Sequence, residues 1–260
     1  SEGGFNSANT IAAWNWKAGG SGSANTDGDI NSTVSANTAA GFSIVKWTGN
    51  GTNSDQEIGT GLSEELKFVI SKPLDAGGGT SQWLIYANGT TDAQNHCFLF
   101  TTGSKTTNAT GGTPNKGTTA GRLLLKAGSS SNANLNTNAL NYIAYCFAEK
   151  KGYSKFGTYT GNGNSDGAFV YTGFKPAWFM IKSTGSGNEW YVWDNKRDID
   201  NPGFQTLYAS SNIAEFYSSY GDFLSNGFKA RSVSGGINSS GQEYIYMAIA
   251  ENPIVGTNNI

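Results

Sequence analysis

The chain contains one sequence pattern twice, and this duplication limits its possible folds more than any other feature. The string WTGNG at residues 47–51 returns as YTGNG at residues 159–163. The string YIAYCFAE at residues 142–149 returns as YIYMAIAE at residues 244–251. Two copies of a module of roughly a hundred residues therefore follow each other along the chain. A duplicated module indicates a repeated architecture before it indicates any chemistry.

Landmarks between these anchors keep the same order in both copies, which argues against chance similarity. The apolar run at residues 66–70 corresponds to residues 178–181, and WLIY at residues 83–86 corresponds to WYVW at residues 190–193. Because the order is preserved, the changes in spacing fall in the loops.

The repeat predicts three segments. These are an amino-terminal arm over residues 1–40 with an edge strand at residues 10–17, a first β-sandwich repeat over residues 41–152 and a second over residues 153–260. An edge strand must pair somewhere, so we expect the arm to complete a sheet of this chain or of a neighbour. Residues 101–121 form a long polar insertion that the second copy lacks, and loops of that length are usually functional or mobile.

The local pattern favours β-structure almost throughout. The chain has 260 residues with 36 Gly, 13% aromatic and only 14% charged residues, and this uncharged, turn-forming composition suits short strands joined by many loops. Runs such as residues 42–47 and 244–247 are aromatic or β-branched and lie between Gly, Asn and Ser turns. The sequence predicts an all-β fold of two tandem, similar antiparallel β-sandwich modules of the jelly-roll or lectin-like kind.

Charge and hydropathy argue against two classes of partner. The net charge is −2 and no stretch gathers Lys or Arg, so we expect no nucleic-acid binding. No apolar run approaches the roughly 20 residues that a membrane-spanning helix needs, so we expect no membrane insertion. The two cysteines, Cys97 and Cys146, lie in apolar runs and are expected to be small buried side chains, with a bridge between them left open.

Catalytic patterns are scarce, and we expect neither enzymatic activity nor a cofactor. His96 is the only histidine, so a Ser-His-Asp or Cys-His arrangement would have one possible base, and a structural role for it is favoured. No histidine or cysteine spacing suits zinc. A carboxylate pair for glycoside hydrolysis stays open, because six acidic residues could meet in space: Glu64, Glu65, Asp92, Asp194, Asp198 and Asp200.

Two loops offer oxygen ligands on a glycine-rich backbone, as calcium requires. The candidate ligands are Asp27 and Asp29 in the first loop, and Asn162, Asn164 and Asp166 in the second. Neither loop has the full spacing of a calcium-binding loop. The alternative is a plain turn in which Asn and Asp side chains accept hydrogen bonds from their own backbone.

One cluster combines aromatic rings with polar groups, as sugar-binding surfaces do. The candidate glycan-binding residues are Trp190, Tyr191, Trp193, Asp194, Asn195 and Arg197. The alternative is that strand alternation buries Trp190 with Val192, or Tyr191 with Trp193, and leaves the others as ordinary surface.

Four strings together resemble a known repeat. They are TYTGNG at residues 158–163, WYVWDNKR at 190–197, DFLSNGFK at 222–229 and the closing segment at 238–251. This set is similar to an uncharacterised β-sandwich repeat of bacteriophage virion proteins, common in marine phages, which are usually tail-fibre, tail-appendage or other structural components. The resemblance covers most of residues 40–256 and implies a lectin-like sandwich on a phage particle; it supplies no catalytic residues and no known activity.

Three hypotheses of function follow. The first is a non-enzymatic virion structural protein, made in the host cytoplasm, that forms homo-oligomers, assembles with other virion subunits and displays a host-binding face. The second is a carbohydrate-binding adhesin that recognises host surface glycan. The third is a polysaccharide depolymerase.

Overall fold

The fold is built from short strands. A computed structural model of the chain describes residues 12–75, 83–89, 96–107, 113–127, 135–185, 187–197 and 200–252. Within these ranges no residue is helical, so they contain no helix that could cross a membrane. The strands are β1 (Ser23–Asn25), β2 (Ser32–Asn37), β3 (Phe42–Thr48), β4 (Gln56–Gly59), β5 (Leu66–Pro73), β6 (Leu84–Ala87), β7 (His96–Leu99), β8 (Thr106–Thr107), β9 (Thr113–Lys116), β10 (Arg122–Lys126), β11 (Asn141–Ala148), β12 (Ser154–Thr160), β13 (Phe169–Tyr171), β14 (Pro176–Ser183), β15 (Trp190–Asp194), β16 (Gly203–Tyr208), β17 (Phe216–Leu224), β18 (Gly227–Ala230) and β19 (Glu243–Ala250).

These strands form three sheets. The first has the order β1-β2-β3-β11-β5-β6-β7-β8, the second β4-β10-β9, and the third β12-β19-β14-β15-β16-β17-β18-β13. Every pairing between the described strands is antiparallel. The predicted all-β fold of packed antiparallel sheets is confirmed.

The same strand order occurs in both halves. In the first half β3-β11-β5-β6 lie side by side and β4 pairs with β10, and in the second half β12-β19-β14-β15 lie side by side and β13 pairs with β18. The first half carries two further strands, β1 and β2, beside β3. The arm supplies an edge strand at residues 23–25; the predicted position at residues 10–17 is wrong, because the described residues 12–17 form no strand and pack their tryptophans against a core between the two halves instead. The exact boundaries of the repeats stay a prediction.

Each half has its own core, and a third core joins the halves. Tyr142, Ala144 and Cys146 of β11 point into the first core, and Tyr244 and Tyr246 of β19 point into the second. The third core, here called the seam, combines apolar side chains of both halves between the large sheets: Phe42, Phe68, Ile85, Phe98 and Phe147 from the first, and Phe156, Trp178, Met180, Trp190 and Val192 from the second. The central strands are covered on both faces, which explains their continuous apolar runs.

Candidate functional site

An open apolar cavity lies at one side of the seam. Its volume is about 350 Å³, within the usual range of small-molecule sites. The lining includes Trp14 and Trp16 of the arm, Ile44, Ile70 and Tyr145 of the first sheet, and Trp178 of the third.

The cavity lies beside a position where the first half has a large side chain and the second half has a small one. Phe98 of β7 lies opposite Ile85 of β6, and Leu207 of β16 lies opposite Val192 of β15. Because Ile85 and Val192 are equivalent in the two copies, Phe100 and Ala209, each two residues further along, are equivalent as well. Phe100 packs against Trp190 with ring centroids 4.9 Å apart, whereas Ala209 is part of the cavity lining. A phenylalanine replaced by an alanine leaves space that the surrounding side chains do not fill.

The arm is fixed across the seam by aromatic and polar contacts. The indole N–H of Trp14 donates to Asp194 Oδ2 at 3.2 Å, and the Arg197 guanidinium lies 5.9 Å from the Trp14 ring. Trp16 packs edge-on against Trp178, with ring centroids 5.6 Å apart. The arm therefore forms one wall of the cavity.

The predicted glycan-binding rings are buried rather than exposed. Trp190 and Trp193 are each 1% exposed and Tyr191 is 7% exposed. Trp190 faces the seam, while Tyr191 and Trp193 face the second core. The expectation of an exposed aromatic face on this strand is wrong. The alternative buried either Trp190 with Val192 or Tyr191 with Trp193, whereas the structure buries both pairs. The reason is that β15 is covered on one face by its own sandwich and on the other by the first half.

The polar members of that cluster hold neighbouring segments together. Asp194 is 7% exposed, and it accepts hydrogen bonds from Arg197 Nε at 2.6 Å and from the Lys196 and Arg197 backbone N–H groups. Burial acts to raise the pKa of Asp194, but these hydrogen bonds and the Arg197 charge hold it below its usual value. The Asn195 side chain donates to Glu251 Oε1 at 2.8 Å. Glycan binding by these residues stays a prediction without the exposed rings on which it was based.

The first predicted calcium loop fastens β4 to the arm. The Asp29 carboxylate accepts the Glu57 backbone N–H at 2.8 Å, and the Asp27 carbonyl accepts the Gly59 N–H at 2.6 Å. Asn25 Oδ1 accepts the Asp27 N–H at 2.9 Å, which is a side-chain-capped turn.

The second predicted calcium loop is a series of such turns. Asn162 Oδ1 accepts the Asn164 N–H, and Asn164 Oδ1 accepts the Asp166 N–H, each at 3.0 Å. The Asp166 carboxylate pairs with Lys229 at 2.5 Å and with Arg231 at 3.2 Å. In the described part of the chain, no group of three His, Cys, Asp or Glu side chains is placed to hold a metal ion.

The repeated TGNG string has a structural role that sequence reasoning missed. The buried Asn238 side chain donates to Asn162 Oδ1 and to the Asn164 carbonyl, both at 2.8 Å, and accepts the Asn162 N–H at 3.0 Å. Asn136 makes the same three contacts with residues 50 and 52 of the first half. We call each set an asparagine clamp. The available signal was that Asn136 and Asn238 stand at the same distance before the closing strand of each copy.

The clamp also explains the first glycine of the string. A Cβ at Gly49 would lie 2.3 Å from the Thr137 carbonyl oxygen, and one at Gly161 would lie 2.3 Å from that of Ser239. Neither contact is sterically possible, so both copies need glycine at this position.

The remaining candidate acids take part in separate ion pairs. Glu64 pairs with Lys150, and Glu65 pairs with Lys67 and with Lys116. Asp200 is exposed, whereas Asp92 and Asp198 lie outside the described residues, as does the side chain of His96. The described acids of the set therefore do not converge. Cys97 and Cys146 are both buried and not bonded to each other.

Comparison with known proteins assigns the family. A family model described as a domain of unknown function, DUF7483, matches residues 1–253. The chain belongs to the DUF7483 family. This DUF7483 domain includes the arm, both halves and the seam between them. No curated protein and no solved structure matches the chain.

Proposed function

We propose that this DUF7483 protein is a non-enzymatic structural subunit of a bacteriophage virion, such as a tail-fibre, appendage or decoration subunit. It assembles with further copies and with other virion subunits through an open strand edge in its second half. The sequence resemblance to phage virion repeats supports a location on a phage particle. The open strand edge supports assembly with other subunits.

The equivalent edge of the first half is covered by the arm. There, β4 pairs with β10 on one side, and the arm residues Asp27 to Ile30 lie along the other side. The Asp29 N–H donates to the Glu57 carbonyl at 2.7 Å. The cover lies so close that a Cβ at Gly59 would meet Asn25 Oδ1 at 2.1 Å.

The edge of the second half has no such cover among the described residues. Strand β13 pairs with β18 on one side only, and its other side is not paired with any described strand. Tyr171, which corresponds to Gly59, is 63% exposed, and Phe169 is 48% exposed. Unpaired strand edges with exposed apolar side chains are sites of strand addition, and this edge is the observation that carries the proposal.

A second copy fits this edge by two-fold symmetry. If two β13 strands pair antiparallel with Val170 of each on the axis, Phe169 of one copy lies opposite Tyr171 of the other. Aromatic cross-strand pairs of this kind stabilise a sheet, and the contact occurs twice in a symmetric dimer.

The test compares the oligomeric state of the wild type with that of an edge variant. Phe169→Lys combined with Tyr171→Lys places charge on the edge, and we expect it to shift the oligomer to monomer in size-exclusion chromatography with light scattering. Tyr217→Lys is the matched control, because Tyr217 is 70% exposed and lies on β17. A wild type that stays monomeric at every accessible concentration, or an edge variant that still associates, would contradict the assembly proposal. Immunogold labelling of purified particles tests the virion location.

A further inference from the structure

The open part of the seam combines an apolar cavity with a row of positive charge. Across three adjacent strands, Ile143 lies opposite Lys46 on one side and opposite Lys72 on the other. The two lysine Cα atoms are therefore about 10 Å apart, which is two strand spacings. The neighbouring row on the same face is Ile44, Tyr145 and Ile70, and these three side chains line the cavity. Charge and cavity are thus one row apart, or about 7 Å along the strands.

No carboxylate of the described residues pairs with this row. In the described ranges, Lys46 and Lys72 form no ion pair, and neither does Lys17, which lines a second groove of about 530 Å³ beside Lys46. Ile44 lines both the groove and the cavity, so the two spaces adjoin. Asp75, three residues after Lys72, instead accepts two hydrogen bonds from Asn141. In a chain of net charge −2, this is a local excess of positive charge.

Lys72 lies beside Trp83, and the second half contains an equivalent lysine–tryptophan pair that is covered by other residues. Lys182 lies opposite Trp190, as Lys72 lies beside Trp83, and both members of the second pair are fully buried in the protein. In the first half, Lys72 lies 4.9 Å from the Trp83 ring centroid, and both side chains are half-buried. The open copy of the pair therefore leaves Lys72 partly exposed, one row from Ile70 of the cavity lining.

Trp178 forms part of the cavity wall. Trp178 is 8% exposed, and its buried indole N–H has no hydrogen-bond acceptor among the described residues. That nitrogen is not exposed at the cavity wall, so the Trp178 ring contributes apolar surface to the lining.

We infer that this cavity binds a medium-chain carboxylate. Its apolar chain lies among the aromatic and aliphatic side chains of the seam, and its carboxylate lies at Lys46 and Lys72. Burial of the chain supplies the affinity, and the lysines select the anion over a neutral compound of equal length. The inference does not depend on the virion proposal, since the site lies on the first sheet and the assembly edge on β13.

The experiment uses the full chain and decanoate as the probe, with decanol as the neutral compound of equal length. Binding is measured by titration calorimetry and by fluorescence, because Trp14, Trp16 and Trp178 line the cavity. We expect decanoate to bind about tenfold more tightly than decanol, with an affinity that falls as salt is added.

Two variants and a control locate the site. Lys46→Gln combined with Lys72→Gln should weaken decanoate binding about tenfold and leave decanol binding unchanged. Ala209→Phe places in the cavity lining the side chain that the first half has at the equivalent position, and it should abolish binding of both compounds. Lys151→Gln removes an exposed lysine in the turn between the halves and should change neither affinity. Circular dichroism shows that each variant is folded.

Several outcomes would overturn the inference. They are no decanoate binding, equal affinity for decanol, unchanged binding by Ala209→Phe, and an equal loss in Lys151→Gln. Binding of an oligogalacturonate in place of decanoate, lost in the double lysine variant, would show an acidic-sugar site instead. If decanoate binds only after removal of residues 1–11, the occupant is the chain's own amino-terminal segment and the inference is wrong.

Discussion

Lys182 is a charged side chain in the protein interior, and its titration should be visible in the stability of the fold. It is 0% exposed on β14, and its ammonium group donates to the Asn188 carbonyl. Burial lowers the pKa of Lys182 from 10.5 to about 8, and the nearby Glu189 charge acts in the opposite direction.

The sign of the effect follows from proton binding. Between pH 8 and pH 10.5 the unfolded chain keeps the Lys182 proton and the folded chain has lost it, so the free energy of unfolding rises with pH in this window. Below the window the lysine is charged in both states and its burial is unfavourable, and above it the lysine is neutral in both. The difference between 10.5 and about 8 corresponds to about 3 kcal/mol across the window.

The perturbation is Lys182→Met, which keeps the length of the side chain and removes its charge. Urea unfolding, followed by tryptophan fluorescence, gives the free energy of unfolding of the wild type and the variant at several pH values from 7 to 11. We expect the variant to be the more stable at pH 7, and its advantage to shrink by about 3 kcal/mol as the pH rises. Groups such as the buried tyrosines titrate in both proteins, so their contributions cancel in the difference.

Lys151→Met controls for the loss of one positive charge, because Lys151 is exposed in the turn before β12. A difference between the wild type and Lys182→Met that is independent of pH would refute the reasoning. So would an advantage of the variant that grows with pH.

Two further predictions concern buried polar groups and thiols. Asn238→Ala is expected to lower the free energy of unfolding by about 2–4 kcal/mol, because it leaves buried clamp partners without hydrogen bonds. Asn136→Ala should have an effect of similar size. Urea unfolding measures both, and a neutral result for either substitution would refute the role of the clamp. Burial raises the pKa of the Cys97 thiol to about 11, and it also raises the pKa of the fully buried Cys146 thiol. A thiol reagent at pH 8 should therefore modify neither cysteine in the folded protein and both cysteines in urea. Rapid modification of the native protein would contradict this burial.

Local features of the fold could be predicted from the sequence. The closing strands and the glycine-rich turns depend on residues near one another in the chain, and the duplication indicated which segments correspond. The repeated glycine is required at Gly49 and Gly161 because each passes against a carbonyl group just before the closing strand. Even the asparagine clamps carried a signal in the matched spacing of the two copies.

The environment of equivalent residues was decided by the tertiary structure. Lys72 and Lys182 occupy equivalent positions, each beside a tryptophan, yet Lys72 is half-buried and Lys182 is fully buried, because packing of the two halves covers only part of the first sheet. For the same reason Trp190 is buried instead of forming an exposed face. The sequence by itself determined the strands, the turns and the correspondence of the copies, which are local and periodic properties. Which faces and edges stay open depends on contacts between distant segments, and only the packed structure fixes those.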